Sequence, residues 1–309
     1  MRPMIGVIEA GGTKMVLAVG RTWQEIRDTT PFVVATTTPT DTLSRVMGWL
    51  AERHAESPLS AIGLASFGPV DLERGAIGAT TPKVLWRGVS WRDAISAHFG
   101  DLPVGVDTDT GAAALAEQRW GAGRGKSVVV YMTIGTGIGG GLVVDGRVVH
   151  GLSHPEFGHM IVRRRVNDDF PGTCPSHGDC LEGLACGVAI KQRWHRSGGP
   201  QLPEDHPAWE LESEYLADAL VNVVTITSAQ VVILGGGVMS VPGLLDRTRE
   251  KFRAQLNGYF DVPELQSDLS QFVVPPGLGS ASGVVGAFAM GSHALDENPD
   301  QRWADTDLS

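Results

Sequence analysis

Three glycine clusters each follow an apolar stretch of the sequence and are candidates for binding phosphate. They consist of Gly11 and Gly12 with Thr13, of Gly135 and Gly137 around Thr136, and of Gly235, Gly236 and Gly237. Glycine lets the backbone turn tightly and approach a ligand, so that unshielded N–H groups face an anion. One such cluster alone would be an ordinary hairpin turn. Three clusters, two of which carry threonine in the turn, favour phosphate binding.

Two familiar phosphate-binding motifs match this sequence in their residue types but not in the secondary structure predicted to follow them. Gly135-x-Gly137-x-x-Gly140 matches the dinucleotide fingerprint, but that fingerprint must open a helix, and GLVVDGRVV follows here as a predicted strand. Arg124-Gly-Lys126-Ser resembles the end of a P-loop, yet it precedes a predicted strand where a P-loop requires a helix. We therefore exclude a Rossmann site and a P-loop.

The first two glycine clusters lie in a repeated pattern of strand, glycine turn and strand. Residues 9–14 can be placed over residues 133–138, about 124 residues further on. This repetition indicates a duplicated domain. Two such hairpins facing each other across a cleft would bind ATP between two similar lobes.

Transfer of a phosphoryl group to a hydroxyl also needs a base. Asp107 and Asp109 follow the apolar strand Val104–Val106 and precede an alanine-rich helix. A carboxylate at such a strand end can accept the proton of the acceptor hydroxyl, while Mg²⁺ and backbone N–H groups stabilise the phosphoryl charge. The simpler role for either residue is capping of the helix, and only one of the two can be the base.

A cluster of cysteine and histidine predicts a structural zinc site. Cys174, His177 and Cys180 form a C-x2-H-x2-C pattern, and His159 supplies a fourth ligand. A closed set of four such ligands is how structural Zn²⁺ is held. His154 is the competing ligand. The third cysteine, Cys186, is expected to be a small buried side chain in an apolar helix.

Two acids stand near the cysteine and histidine cluster. Glu156 lies in HPEFGH and Glu182 follows Cys180 in CLEG. Carboxylates beside a loop stiffened by metal are suited to binding sugar hydroxyls, since each oxygen accepts hydrogen bonds. Either acid could equally serve at the start of a helix.

Composition excludes several other classes of protein. The 309 residues are 42% hydrophobic and 19% charged, with a net charge of −10 and no block of Lys or Arg, which argues against nucleic-acid binding. An odd, clustered set of three cysteines suits a reducing compartment. The sequence shows neither a signal-peptide core nor a long apolar run, so we expect a cytoplasmic protein.

Hydrophobic periodicity predicts the elements that position these residues. Strands are expected over 4–20 as a hairpin, 61–67, 104–106, 127–149 as a second hairpin, and 231–237. Helices are expected over 41–54 with Asp41 as N-cap, 91–99, 112–120, 182–195, 208–228, 242–256 and 280–294.

Several motifs in fixed order resemble those of the ROK family of sugar kinases. They are E-A-G-G-T-K at 9–14, F-G-P-V-D at 67–71, T-D-x-x-A-A-A at 108–114, I-G-T-G-I-G-G-G at 134–141, H-P-E-F-G-H at 154–159, C-x-x-H-x-x-C-x-E at 174–182 and L-G-G-G-V at 234–238. The match covers about residues 4–290. Residues 66–71, the Thr-Pro-Lys at 81–83 and the Cys-x-x-His-x-x-Cys variant look most like the bacterial zinc-containing fructokinases.

The resemblance implies an α/β, two-lobed hexokinase/actin-like ATPase fold. Such a fold contains duplicated βββαβα domains of ribonuclease H-like type, here with a small zinc-bound loop. We expect a small N-terminal lobe from residues 1–114 plus about 280–295. Residues 115–279 would form the large lobe, with the zinc loop at 154–182, and residues 296–309 would be a disordered tail.

The resemblance also assigns roles to individual residues. Asp109 is the expected catalytic base, and zinc is expected on His159, Cys174, His177 and Cys180. Contacts to the sugar are expected from Gly68, Pro69, Thr108, Asp109, Glu156, His159 and Glu182. Contacts to ATP are expected from Gly11, Gly12, Thr13, Lys14, Thr133, Gly135, Thr136, Gly137, Gly235, Gly236, Gly237, Val238 and Met239.

The activity implied is phosphorylation of fructose at the C6 hydroxyl, with ATP and Mg²⁺ in catalysis and Zn²⁺ in a structural role. The alternatives are a kinase for glucose, mannose or an N-acetyl-amino sugar, and a sugar sensor without catalysis. A homodimer is expected from the family. The sequence departs from the usual family pattern at Glu9, where Asp is common, and at Thr108 and Gly111, where Asn is common; sugar preference depends on the last two.

Overall fold

The structure is a computed structural model that describes residues 2–194 and 202–296. The chain divides into two compact units. Unit 1 contains Met1–Ala116, His150–His154 and the segment from Ser280 onward, and unit 2 contains Glu117–Val149 and Pro155–Gly279. Most of the tail expected over 296–309 lies outside the described residues.

Unit 1 is built on a five-stranded mixed sheet with the order β3-β2-β1-β4-β7. Its strands are β1 (Ile5–Ala10), β2 (Lys14–Gly20), β3 (Phe32–Ala35), β4 (Ala61–Ser66) and β7 (Val104–Thr108), and β5 (Val70–Asp71) pairs separately with β6 (Ala76–Ile77). The first three strands are antiparallel, whereas β1, β4 and β7 run parallel. The predicted first hairpin is confirmed.

Helices cover the sheet of unit 1. They are α1 (Trp23–Asp28), α2 (Pro39–Glu56), α3 (Trp91–Phe99), α4 (Asp109–Trp120) and α10 (Ser282–Asp296). The helix predicted over 41–54 starts earlier than expected, because Thr38 rather than Asp41 is the N-cap: the Thr38 hydroxyl accepts the Asp41 N–H. Asp41 still contributes a negative charge to the first turn, where the helix dipole favours it.

Unit 2 repeats the sheet of unit 1. Its order is β10-β9-β8-β11-β12, with β8 (Val128–Ile134), β9 (Ile138–Val144), β10 (Arg147–Val148), β11 (Val231–Gly235) and β12 (Val273–Val274). As in unit 1, an antiparallel hairpin contributes its first strand to a parallel set. The same topology in both units confirms the predicted duplication.

The helices of unit 2 are α5 (Leu181–Ala185), α6 (Gly187–Arg193), α7 (Pro207–Thr227), α8 (Leu244–Leu256) and α9 (Pro263–Gln266). The single helix predicted over 182–195 is wrong, since it breaks at Cys186. The Cys186 backbone is extended and its sulfur accepts the Ala189 N–H, so this residue caps α6. Cys186 is buried, as expected. Among the described helices, none has the length and apolar character of a membrane span.

Two glycines let α10 pack directly on the sheet of unit 1. A Cβ at Gly63 in β4 would overlap the Ala287 carbonyl oxygen, and one at Gly105 in β7 would overlap that of Met290. The helix backbone therefore rests on strand backbone at both places. We infer that this contact fixes how deeply α10 sits on the parallel strands.

Gly63→Ala should lower the free energy of unfolding by about 1–3 kcal/mol or more, because helix and strand must separate to admit the methyl group. Gly48→Ala is the matched control, since Gly48 is exposed in α2 and its Cβ would meet nothing within 4 Å. That change should stabilise by about 0.5–1 kcal/mol. Urea unfolding of both variants checks the pair, and equal stability would contradict the packing argument.

Candidate functional site

Three predicted motifs of unit 1 emerge from one edge of its sheet. The register of β1, β4 and β7 aligns Ala10 with Ser66 and Ser66 with Thr108. The next residues along the chain are Gly11, Phe67 and Asp109. Carboxyl ends of adjacent parallel strands are the usual place for ligand sites in open α/β sheets. Thus the glycine turn, the Phe-Gly-Pro loop and the predicted base follow a single row of the sheet.

The first glycine turn is held tightly by the backbone. The Gly11 N–H donates to the Lys14 carbonyl at 3.0 Å, and the Thr36 hydroxyl donates to the Gly11 carbonyl at 2.7 Å. Thr13 is exposed at the tip. Lys83 lies beside the turn, with its Cε 3.1 Å from the position of a Cβ on Gly12. The loop thus presents small residues next to a cationic side chain.

Asp109 is the first residue of α4 and half-buried, with its Oδ1 accepting the Thr110 N–H at 2.9 Å. Thr108 caps the helix: its hydroxyl accepts the Gly111 N–H at 3.0 Å. Asp107, which is 2% exposed, accepts the Thr108 N–H on Oδ1 at 2.7 Å. Thr108 and Asp107 therefore have capping and orienting contacts, which leaves Asp109 as the base candidate.

Glu9, at the end of β1, carries a second carboxylate near Asp109. Burial and the charge of Asp109 raise the pKa of Glu9 to about 7, against a smaller opposing effect of Lys14. The carboxylate of Glu9 also packs against Gly283 in the first turn of α10, where a Cβ would overlap it. The pKa of Glu9 rises because its carboxylate is shielded from water and lies near a second negative charge.

The glycine turns of unit 2 also lie together at the ends of parallel strands. β8 and β11 are in register at Thr133 and Gly235, so the turns that follow them are neighbours. Gly236 has φ +92° and lies so close to the Ile134 backbone that no side chain would fit. Both the dihedral angle and the close approach require glycine there.

Glu182 binds the first of these turns. Its Oε2 accepts the Ile138 N–H at 2.9 Å and lies 2.6 Å from the position of a Cβ on Gly137. The Gly135 carbonyl accepts the Gly187 N–H at 2.7 Å, which ties the turn to the start of α6. Glu182 thus supports the glycine turn directly, a contact that its spacing in the sequence did not reveal.

Glu156 precedes a short 3-10 helix, Phe157–His159, which ends at His159 and packs on β9. A Cβ on Gly140 would overlap the Phe157 ring, and one on Gly158 would overlap the Ile138 carbonyl. These glycines let the 3-10 turn approach the strand backbone. The His159 N–H donates to the Glu156 carbonyl at 3.0 Å. This hydrogen bond fixes the backbone from which both predicted side chains project.

The structure brings all four predicted metal ligands together. Ligand atoms of His159, Cys174, His177 and Cys180 lie within 4.8 Å of one another. His159 Nδ1 is 3.5 Å from Cys180 Sγ and 3.7 Å from Cys174 Sγ, and His177 Nδ1 is 3.6 Å from Cys174 Sγ. Ordinary zinc bond lengths at a tetrahedral angle place sulfur and nitrogen about 3.6 Å apart. The site fits Zn²⁺.

His154, the competing ligand, does not join this cluster. It is buried in unit 1, and its Nε2 accepts the Val70 N–H at 3.1 Å next to the cis peptide bond between Gly68 and Pro69. Its interaction with the loop that contains two predicted sugar contacts was not anticipated. Sequence order alone cannot show it, because His154 and Val70 are distant in the chain.

An ion-pair network supports the loop around the metal ligands. Asp168 binds Arg193 at 2.9 Å and accepts the Tyr215 hydroxyl at 2.5 Å, and all three side chains are largely buried. Arg164 binds Asp179, the neighbour of Cys180, at 3.2 Å. The charged stretch 163–169, which has almost no apolar content, is therefore fixed by paired charges as well as by the ligand cluster.

Comparison with known proteins shows which family the chain belongs to. The ROK family model matches residues 5–293, and the chain belongs to the ROK family. A putative fructokinase of Bacillus subtilis is 42% identical over 94% of this chain and 96% of its own length, and a fructokinase of Zymomonas mobilis is 40% identical with the same coverage.

A solved structure shows the same fold. A ROK family glucokinase from Streptomyces griseus, in complex with glucose and AMPPNP, is 28% identical with a TM-score of 0.73, covering 94% of this chain and 99% of that one. The predicted two-domain, actin-like ATPase fold is confirmed by this likeness and by the repeated sheets.

Glu9→Gln should stabilise the protein at pH 8 by about 1–3 kcal/mol and change little at pH 5. The folded state holds the Glu9 proton more tightly than the unfolded state, so the stabilisation from that proton is present below about pH 4.5 and is lost as pH rises to about 7. Urea unfolding at both values tests this, with exposed Glu73→Gln as control. An equal effect at both values would contradict it.

Proposed function

We propose that this protein is an ATP-dependent hexose kinase that transfers the γ-phosphoryl group to the C6 hydroxyl of fructose. The observation that carries the proposal is the placement of Asp109 in the same row of strand ends as the glycine turn of unit 1. Similarity to fructokinases at 34–42% identity supports fructose, whereas glucokinases are 26–28% identical.

In this mechanism Asp109 accepts the proton of the C6 hydroxyl as its oxygen attacks the γ-phosphorus, and the bond to the bridging oxygen of ADP breaks. The carboxylate stands at the start of α4, where the helix dipole favours a negative charge. ATP enters as its Mg²⁺ complex, in which the cation neutralises charge on the phosphoryl oxygens. Positioning and charge stabilisation supply most of the catalysis.

The remaining residues of the site divide by unit. In unit 1, Gly11, Gly12, Thr13 and Lys14 would bind phosphate, and Gly68 and Pro69 would line the sugar site. In unit 2, Thr133, Gly135, Thr136 and Gly137 and residues 235–239 would bind the nucleotide, and Glu156 and His159 would bind sugar hydroxyls. Glu182 would act by holding the turn that it already contacts. Sugar contacts from Thr108 and Glu182 remain predictions.

Asp109→Asn should lower kcat about 10²–10⁴-fold while leaving the affinity for ATP intact, because the amide cannot accept the proton. Coupled ADP release with fructose measures turnover, and calorimetry measures ATP binding. Asp101→Asn, in a loop of unit 1, is a control that should behave as wild type. Turnover near wild type in Asp109→Asn would refute the assignment of the base.

The same assay on fructose, glucose, mannose and N-acetylmannosamine tests the substrate. The highest kcat/KM is expected for fructose. Preference for another sugar would keep the mechanism and reject fructose as acceptor. Absence of turnover on all four sugars, with ATP still bound, would favour a sensor and reject the kinase.

We further propose that the cluster of His159, Cys174, His177 and Cys180 holds a structural Zn²⁺. Bound there, the ion would tie His159 to the loop 174–180 and supply no chemistry. The cluster is closed by four protein ligands, and both cysteines are buried. Burial raises the pKa of the Cys180 thiol to about 11, and binding of Zn²⁺ would displace the proton of that thiol.

Cys174→Ser and Cys180→Ser should reduce zinc from about one ion per chain and lower Tm together, because metal binding contributes to folding. Elemental analysis and thermal unfolding check both quantities. Cys186→Ser is the matched control: this cysteine is equally buried but lies outside the cluster, so zinc content should be retained. Loss of zinc without any change in Tm would contradict a structural role.

The family resemblance implies a homodimer, and the composition of the sequence predicts a cytoplasmic location. Light scattering during size-exclusion chromatography tests the first of these, which would give twice the mass of 32.8 kDa.

A further inference from the structure

One partner of an ion pair lies two residues before the proposed base in the sequence. His150 Nε2 is 3.0 Å from Asp107 Oδ2. The Asp107 side chain is 3% exposed and that of His150 is 32% exposed, so the pair is reached from solvent only through the histidine. The other oxygen of Asp107 accepts both the N–H and, at 3.3 Å, the hydroxyl of Thr108. The carboxylate therefore links His150 to the residue that precedes Asp109.

The contacts of Asp107 determine where α4 begins. Thr108 donates to Asp107 and accepts from Gly111, which makes it the N-cap of the helix whose first residue is Asp109. A side chain on Gly111 would overlap Asp107 Oδ1. Asp107 thus occupies the space beside the helix start, and movement of its carboxylate would move the cap.

The segment His150–His154 is anchored to unit 1 at both ends. His150 binds Asp107, and His154 accepts the N–H of Val70, while Leu152 between them is fully exposed. Its neighbours Val149 and Pro155 belong to unit 2. The two histidines therefore hold this short segment against the start of β5, next to Gly68 and Pro69, and against the end of β7, next to Asp109.

We propose that His150 is a positioning residue, which through Asp107 and the Thr108 cap orients Asp109 and balances the charge beside it. This inference rests on the proposed function, since it needs Asp109 to be the base. Glu9 is a further charged group that interacts with Asp109, and Lys14 in turn acts on Glu9. The hydrogen bond to Asp107 raises the pKa of His150, so the cation persists to a higher pH than in a free histidine.

The charge of His150 has a consequence that can be measured at Asp109. With His150 protonated, the pair with Asp107 is neutral. Without it, Asp107 is an unbalanced carboxylate close to the base, and a neighbouring negative charge raises the pKa of a carboxyl group. The acid limb of kcat/KM reports the pKa of the essential base in the free enzyme. Loss of the histidine charge should therefore move that limb to higher pH.

The test compares His150→Gln, Asp107→Asn and the double variant in the full-length protein with fructose and ATP. His150→Gln should shift the acid limb upward by about half a unit or more, which lowers kcat/KM about threefold or more at pH values on that limb, with the KM for ATP unchanged. The double variant should return the limb to the wild-type position, since it removes the unbalanced charge as well. His98→Gln, an exposed histidine of α3, is the control.

A second readout does not depend on turnover. Titration of the His150 ring by NMR should give a raised pKa in the wild type and a lower one in Asp107→Asn. The inference would be overturned if the acid limb of kcat/KM and the kcat of His150→Gln matched those of the wild type. So would a lower Tm with kcat reduced equally at every pH, which marks a merely structural role. If wild type has no kinase activity, or Asp109→Asn retains it, the proposed function fails, and the inference fails with it.

Discussion

The alignment of the parallel strand ends in unit 1 is the constraint on which the proposed chemistry depends. Because Ala10, Ser66 and Thr108 stand in one row, a glycine turn, the Phe-Gly-Pro loop and a carboxylate emerge side by side, although the first and the last are separated by about 100 residues. The α10 helix supports this row, since glycines at 63 and 105 allow backbone to rest on backbone. Without this close contact between helix and strand backbones, the strand ends would be less firmly fixed relative to α10.

Unit 2 uses the same sheet for a different set of contacts. Its two glycine turns meet at Thr133 and Gly235, and Glu182 binds one of them. The cluster of His159, Cys174, His177 and Cys180 lies beside a loop that is rich in charge and poor in apolar side chains. Buried ion pairs such as that of Asp168 with Arg193 attach this loop to α6. A buried pair of this kind gives defined geometry more reliably than net stability.

Three acidic residues lie close together near the ends of β1 and β7, and their negative charges repel one another. Phosphoryl transfer needs an ionised base, yet Glu9, Asp107 and Asp109 are acids in a small space. Burial and the charge of Asp109 raise the pKa of Glu9 to about 7, and Asp107 is paired with His150. Asp109 itself stands at the start of α4, where the helix dipole favours a negative charge.

The sequence by itself determined the repeated hairpins and the glycine turns, and it predicted Asp109 as the base and four metal ligands. Most of these depend on short-range pattern: apolar runs mark strands, glycine marks close approach, and C-x2-H-x2-C places three ligands in one short loop. It did not determine that α5 and α6 break at Cys186, because apolar periodicity continues through the cap. It also could not show the contacts of His150 with Asp107, His154 with Val70, or Glu182 with the Ile138 N–H. Those join residues far apart in the chain, and only the tertiary structure, by setting strand register and loop path, decided which side chains meet.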